Sequence, residues 1–317
     1  MSKILVTGGA GFIGSHNTKR LLENGHDVVI VDNFNEYYSS QLKRGRIKHL
    51  LSGMEFKLYE VDIADFENLK KVFKENNIDI VIHQAAQAGV RYSLEDPFTY
   101  ERTNVKGTLN VLECCKEFGI KKLIFASSAS VYGNNKKLPF SEEDKTDSQI
   151  SFYAATKKAT ESICYSYHSL YKIPMVGLRY FMVYGPWGRP DAALFKFTKN
   201  ILENKPIDVY GQGEMERSFT YIDDIVDGIM SALEKNFNFE IFNLGGKEMV
   251  HLMKFIEILE KCLNKKAEKN FLPIQKGEVF AACADTSKAK KMLGWEPKVS
   301  IDKGIENFVH WYRNYYK

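Results

Sequence analysis

Short apolar runs alternate with longer amphipathic stretches through the first half of the chain. The runs Ile4–Thr7, Val28–Val31, Phe56–Glu60, Ile80–His83, Leu123–Ala126 and Met175–Arg179 predict six strands. Between them, Ser15–Glu23, Phe66–Asn76 and Arg102–Phe118 carry helical spacing. Strand and helix in regular alternation predict βαβ units, and hence a doubly wound parallel sheet covered on both faces.

After Phe181 the rhythm changes. Tyr184-Gly185-Pro186-Trp187-Gly188-Arg189-Pro190 is a cluster of breakers, followed by a helical stretch at Ala192–Glu203 and a strand and turn around Asp208–Gly213. The pattern therefore divides the chain into an α/β unit over residues 1–181 and a smaller mixed α/β region over 182–317. Segments at about 215–245, including a helix near Asp223–Glu234 and the strand Phe239–Leu244, are expected to return to the first unit.

Composition narrows the field. The 317 residues are 44% hydrophobic and carry a formal charge of +4, which fits a folded globular protein and gives no electrostatic reason to expect nucleic acid or a membrane surface. No apolar run reaches the length of a membrane span, and the Met1-Ser2-Lys3 start does not read as a secretory signal, so a cytoplasmic protein is expected. The cysteines Cys114, Cys115, Cys164, Cys262 and Cys283 form no CxxC pair, which predicts reduced thiols and no metal site.

Chemistry enters with Gly8-Gly9-Ala10-Gly11-Phe12-Ile13-Gly14, directly after the first predicted strand. Gly8 permits a tight turn, Gly11 admits backbone close to a pyrophosphate at a helix N-terminus, and Gly14 allows helix and strand to touch. Asp32 closes the second strand at the spacing of a carboxylate that binds an adenosine ribose. That carboxylate repels a 2′-phosphate and so favours NAD over NADP. Lys43, Arg44 and Arg46 downstream read as a solvated loop, with phosphate binding as the other reading; Asp62 and Ile63 follow the third strand where an adenine amine could be met.

A second constellation pairs Ser127-Ser128-Ala129-Ser130-Val131-Tyr132-Gly133, just past a strand, with Tyr153-Ala154-Ala155-Thr156-Lys157. Tyr and Lys four apart share a helix face, so the ammonium is expected near the phenol, where it favours the ionised, basic form.

These motifs, together with Gln84-Ala85-Ala86-Gln87-Ala88-Gly89-Val90-Arg91-Tyr92-Ser93, Arg179-Tyr180-Phe181, Trp187-Gly188-Arg189-Pro190-Asp191, Arg217-Ser218-Phe219-Thr220-Tyr221-Ile222-Asp223-Asp224 and Ala284-Asp285-Thr286-Ser287-Lys288, span nearly the whole chain. The chain resembles the extended short-chain dehydrogenase/reductases, and within them the nucleotide-sugar epimerases of the UDP-glucuronate 4-epimerase type. The resemblance implies a Rossmann-type NAD domain, a homodimer and a UDP-linked sugar as partner. It implies that Tyr153, Lys157 and Ser128 are catalytic, and that Asn33, Lys43, Gln84, Ala85, Ala86, Asn104 and Tyr180 join the glycine loop around NAD. Arg217 corresponds to an arginine on the nucleotide diphosphate; Arg91, Arg189 and Gln275 are candidates for phosphate or sugar. Ser127, Ser128 and Met182 fall at the sugar end.

Departures from that pattern bear on the substrate. Glucuronate epimerases usually carry threonine where this chain has Ala126 and Met182, so two hydroxyl donors for a sugar carboxylate are missing. The expected compensation is Ser127, Ser128 and an arginine, or a different C6 group. Dehydratases and decarboxylases of this fold place an acid just before Val-Tyr-Gly; this chain has Ala129-Ser130. A non-catalytic NAD-binding protein would not be expected to keep Ser128, Tyr153 and Lys157 together. Asn17 stands in the first helix where an apolar residue is expected.

Overall fold

The computed structural model describes residues 1–317. The six predicted strands form: β1 (Lys3–Thr7), β2 (Asp27–Asp32), β3 (Lys57–Glu60), β4 (Ile80–His83), β5 (Lys122–Ser128) and β6 (Met175–Tyr180). A seventh strand, Phe239–Leu244, lies beside β6, making the sheet one strand wider than the six predicted before the breaker cluster. From that edge the order is Phe239–Leu244, β6, β5, β4, β1, β2, β3, with every pairing parallel.

Alternation along each strand splits the sheet's side chains between two cores. Ile4, Val6, Val28, Ile30, Ile82, Ile124, Val176 and Leu178 face one apolar layer. Leu5, Val29, Val31, Val81, Leu123, Phe125 and Met175 face the other. On the second side pack Phe66–Asn76, Gly107–Glu117 and Phe152–Tyr171; on the first lie Phe12–Glu23 and Ile222–Glu234. The order reverses between β1 and β4, which opens a crevice at the C-terminal ends of the strands.

Local chemistry sets the helix starts that matter. Asp65 caps Phe66–Asn76 by accepting the Asn68 N–H at 3.2 Å. Ser151 caps Phe152–Tyr171 by accepting the Ala154 N–H at 3.2 Å, which places Tyr153 in the first turn and Lys157 one turn later. The helix expected over Arg102–Phe118 begins instead as a π-helical turn, Glu101–Lys106, before the regular helix Gly107–Glu117. Beyond residue 182, three small sheets gather around the crevice: Val183–Tyr184 with Thr220–Tyr221, Glu216–Ser218 with Met249–His251 and Ala281–Ala282, and Ile207–Tyr210 with Lys269–Leu272. No helix is long and apolar enough to cross a membrane.

A buried ion pair joins the central elements. Arg179 on β6 donates from Nε and Nη2 to the two oxygens of Glu161 on helix Phe152–Tyr171, at 2.8 and 2.9 Å. Ser127 on β5 donates to the same carboxylate at 2.6 Å, and Arg179 Nη1 donates to Tyr132 Oη at 3.0 Å. Asn17 is wholly buried with no partner for either end of its amide, and nothing in the structure explains it.

The substitution Glu161→Gln leaves the Arg179 charge buried without its counter-ion and should lower unfolding stability by about 3–5 kcal/mol in denaturant titration. A loss below about 1 kcal/mol would show that the pair does not hold these elements together.

Candidate functional site

The crevice is a cleft of about 850 Å³ running from the glycine loop to the small sheets. At one end the chain folds back under β1. Gly8 adopts φ +69°, and a Cβ there would stand 2.7 Å from the Ala85 backbone. A Cβ on Gly14 would stand 2.1 Å from the Gly8 carbonyl oxygen. Only glycine fits either position. The helix Phe12–Glu23 has Gly11 as its N-cap, with no side chain capping it, so its first-turn N–H groups face the cleft.

Asp32 is buried at the end of β2, where its two oxygens accept the Ala10 and Phe34 N–H groups at 3.0 and 2.9 Å. Burial raises its pKa, opposed by the Phe34 N–H, the Lys43 ammonium, the Ala10 N–H and the Arg46 guanidinium. A dinucleotide fits this donor set: glycines where a Cβ would fill the cradle, free N–H groups at a helix start, and a carboxylate one strand away.

Lys43, Arg44 and Arg46 do not form the solvated loop expected of them. They lie on the helix Ser40–Leu50, and Arg46 is fully buried. Its Nε donates to Trp187 O at 2.9 Å, Nη1 to Ala10 O and Tyr38 Oη at 3.2 and 2.7 Å, and Nη2 to Gly188 O at 3.3 Å. Arg46 thus bolts the glycine loop to the Trp187–Gly188 turn. Lys43 lines the cleft, donating to the Asn35 carbonyl and side-chain oxygens at 2.6 and 2.8 Å. Arg44 alone is exposed, paired with Glu60. The run of charge concealed a helix with one buried face.

Most residues expected at the site line the cleft: Gly8, Gly11, Phe12, Ile13, Gly14, Asp32, Asn33, Lys43, Ile63, Gln84, Ala85 and Ala86 toward one end, and Arg91, Ser127, Ser128, Tyr153, Lys157, Tyr180, Met182, Arg189 and Arg217 in the middle and toward the other. Gln84 hydrogen-bonds the Tyr180 hydroxyl at 3.0 Å. Three expected residues do not line it. Asp62 is engaged by Arg102 at 2.8 Å, Asn33 at 3.2 Å and the Ala64 N–H at 2.8 Å. Gln275 lies outside the lining, while its neighbours Gly277, Glu278 and Val279 reach the wall.

Asn104 is buried in the π-helical turn, and its amide is spent within the chain. It accepts the Gln87 N–H at 2.8 Å and donates to Gln87 O and Thr156 Oγ1, both at 3.0 Å. It therefore ties the Gln87 loop to the helix that carries Tyr153 rather than facing the cleft. Ser127 likewise turns its hydroxyl away, toward Glu161. Neighbouring residues on β5 point to opposite faces, so Ala126 and Ser128 cannot share a side with Ser127.

At the centre, Tyr153 and Ser128 both line the cleft, on a helix and a strand end that pack together. Burial raises the Tyr153 phenol, while the Ser128 hydroxyl and the Arg189 cation act to lower it. The expected Lys157–phenol contact takes a different form: Lys157 donates to Ala126 O at 2.8 Å, and burial lowers its pKa to about 8. Arg189 is held by the Asp191 carboxylate, which also accepts the Tyr37 hydroxyl at 3.1 Å. At the far end, Arg91 and Arg217 flank Glu278 at 3.7 and 3.6 Å, and Arg217 is anchored to Glu216 O and Phe280 O at 2.9 and 2.8 Å.

Residues 4–245 match the family model described as "NAD dependent epimerase/dehydratase family". An uncharacterized protein of Methanocaldococcus jannaschii is 51% identical over 311 residues, 98% of this chain and 95% of that protein. The UDP-glucuronate 4-epimerase of Thermodesulfobacterium geofontis is 47% identical over 312 residues, covering 98% and 96% of the two chains. Among solved structures, the UDP-glucuronic acid 4-epimerase of Bacillus cereus, in complex with UDP-glucuronic acid and NAD, superposes with a TM-score of 0.94 at 41% identity, covering 99% of this chain and 100% of that one.

Proposed function

The chain belongs to the NAD dependent epimerase/dehydratase family, and from that premise we propose that it interconverts UDP-glucuronate and UDP-galacturonate. It is an NAD-dependent nucleotide-sugar 4-epimerase by its likeness to such enzymes over full length. The observation that carries the finer reading is the cleft itself, which aligns a dinucleotide cradle, a Ser128–Tyr153 pair and a cationic far end on one path. Bound NAD supplies a hydride acceptor that returns the hydride to the sugar.

In this reading Arg217 and Arg91 meet the nucleotide diphosphate, because paired guanidinium groups suit phosphate oxygens. Tyr153 takes the proton of the C4 hydroxyl and Ser128 donates to its oxygen. Lys157, fixed by the Ala126 carbonyl, presents positive charge beside them. Gly8, Gly11, Gly14 and Asp32 hold the dinucleotide. The 4-keto sugar then turns within the cleft and is reduced on its opposite face.

The C6 group is the open point of the chemistry. Ala126 and Met182 both line the cleft, Met182 is 46% exposed, and Ser127 is committed to Glu161, so of the expected hydroxyl compensation only Ser128 remains. Arg189 remains as the cation for a carboxylate, already neutralised in part by Asp191. This observation favours a second reading, 4-epimerisation of a UDP-hexose with an uncharged C6 group.

Helices Gly107–Glu117 and Phe152–Tyr171 present apolar side chains to solvent, and on them we place a homodimer interface. Leu109, Tyr165, Leu170 and Tyr171 are 40, 59, 67 and 44% exposed, more than two helices covering a sheet require. Leu112, on the same helix as Leu109, is buried in the sheet-facing core and takes no part.

Three outcomes test these readings. Incubation with UDP- and GDP-sugars, products resolved by chromatography, should give UDP-galacturonate from UDP-glucuronate without added cofactor, and Tyr153→Phe should lose at least about a hundredfold in kcat while still binding UDP. No product from any UDP-sugar, or near-wild-type turnover by the variant, would reject the assignment. Next, Ala126→Thr with Met182→Thr should raise the ratio of kcat/KM for UDP-glucuronate over UDP-glucose by about tenfold, since two hydrogen bonds are worth roughly 0.5–1.5 kcal/mol each; an unchanged ratio means these positions do not read C6. Finally, sedimentation at micromolar concentration should show a dimer, and a monomer would remove the interface.

A further inference from the structure

We propose that Ser130 is a positioning residue that fixes the direction in which Ser128 hydrogen-bonds, so that the proton of the sugar hydroxyl is aimed at Tyr153. The proposal rests on the assignment of Tyr153 as the group that takes that proton.

Ser128 ends β5 and begins the short 3-10 turn Ala129–Tyr132. Its Oγ accepts the Ser130 backbone N–H at 3.2 Å and pairs with the Ser130 hydroxyl at 2.9 Å. A backbone N–H can only donate, so one lone pair of Ser128 is committed whatever the hydroxyls do. The Ser130 hydroxyl donates to the second lone pair.

A serine oxygen with both lone pairs filled has only its own proton left to offer. Ser128 then acts as a donor alone. It lines the cleft together with Tyr153 and would reach the C4 oxygen of a sugar placed between the two. A C4 oxygen that receives a hydrogen bond from Ser128 cannot give its proton to Ser128. The proton must point to Tyr153 Oη, where its transfer breaks the O–H bond and leaves the electron pair on oxygen to form the carbonyl as the C4–H bond breaks and its hydride passes to the NAD that the cleft would hold.

Geometry makes Ser130 suited to this and little else in the turn. Its carbonyl accepts the Gly133 N–H at 3.0 Å, so the backbone of the turn closes without the side chain. Removing the hydroxyl should leave the fold intact while freeing one lone pair of Ser128 to accept from the sugar. Part of the bound sugar then holds its proton the wrong way round, and Tyr153 loses a fully polarised donor. Weaker donation to the phenol raises the pH at which it ionises.

The experiment compares Ser130→Ala, Ser130→Thr and Tyr153→Phe with wild type over a range of pH, with UDP binding followed by calorimetry. Ser130→Ala should lower kcat about five- to tenfold with KM and UDP affinity within about twofold, and should shift the acid limb of kcat/KM by about half a pH unit toward alkaline values. Ser130→Thr, which keeps the hydroxyl, should return kcat to within about twofold of wild type. The proposal is overturned if Ser130→Ala keeps wild-type kcat, if kcat falls with no movement of the acid limb, or if Ser130→Thr, folded by circular dichroism, is as slow as Ser130→Ala. Tyr153→Phe separates the two assignments: an inactive Tyr153→Phe beside an unaltered Ser130→Ala rejects only the role of Ser130, whereas an active Tyr153→Phe rejects the role of Tyr153 itself.

Discussion

The proposed reaction needs a tyrosine from a helix and a serine from a strand on one side of the cleft, and the buried Glu161–Arg179 pair is what fixes that helix against that strand. Glu161 stands one turn beyond Lys157 on the helix that also bears Tyr153, while Arg179 sits on β6 beside the strand that bears Ser128. Burying two charges is costly, and the cost is offset here because the guanidinium fork meets both carboxylate oxygens and the remaining valences go to Ser127 and Tyr132. Tyr132 carries the connection onward to Asn243 on the edge strand at 2.7 Å, and Asn243 reaches Phe140 O and Asp285 O at 2.9 and 3.1 Å. The joint therefore extends from the catalytic helix to the C-terminal region.

A second set of contacts joins the two ends of the cleft. Arg46 holds the glycine loop against the Trp187–Gly188 turn, and the next residue, Arg189, is held by Asp191. Tyr37, on the segment after β2, bonds to the same Asp191. The segment that follows Asp32 and the segment that carries Arg189 are thus one connected body. Asn104 does the same on the opposite wall, between the Gln87 loop and helix Phe152–Tyr171.

Much of this was legible in the order of residues. The parallel sheet followed from strand and helix alternating, because strands covered on both faces read as unbroken apolar runs. Gly8 and Gly14 were legible because no other residue could occupy their backbone contacts. That Tyr153 and Lys157 share a helix was legible through their spacing, although the lysine donates to Ala126 O rather than to the phenol. Long-range polar bonds were not. Arg46, Asn104 and Ser127 meet partners as far as 142 residues away in sequence, and charge or hydroxyl character alone does not say whether it faces water or a carbonyl. Ser127 was the exception that could have been read: strand alternation already set it on the face opposite Ser128.

All of these features converge on one chemical claim, that a hydride leaves C4 of a nucleotide sugar and returns to the same carbon without escaping the cleft. UDP-glucuronate labelled with deuterium at C4, incubated in ordinary water with the purified protein and no added cofactor, tests it directly by mass spectrometry and NMR of the product. The account predicts UDP-galacturonate that keeps its deuterium at C4. Product whose C4 label has exchanged with solvent, or that has lost water or carbon dioxide, would contradict it.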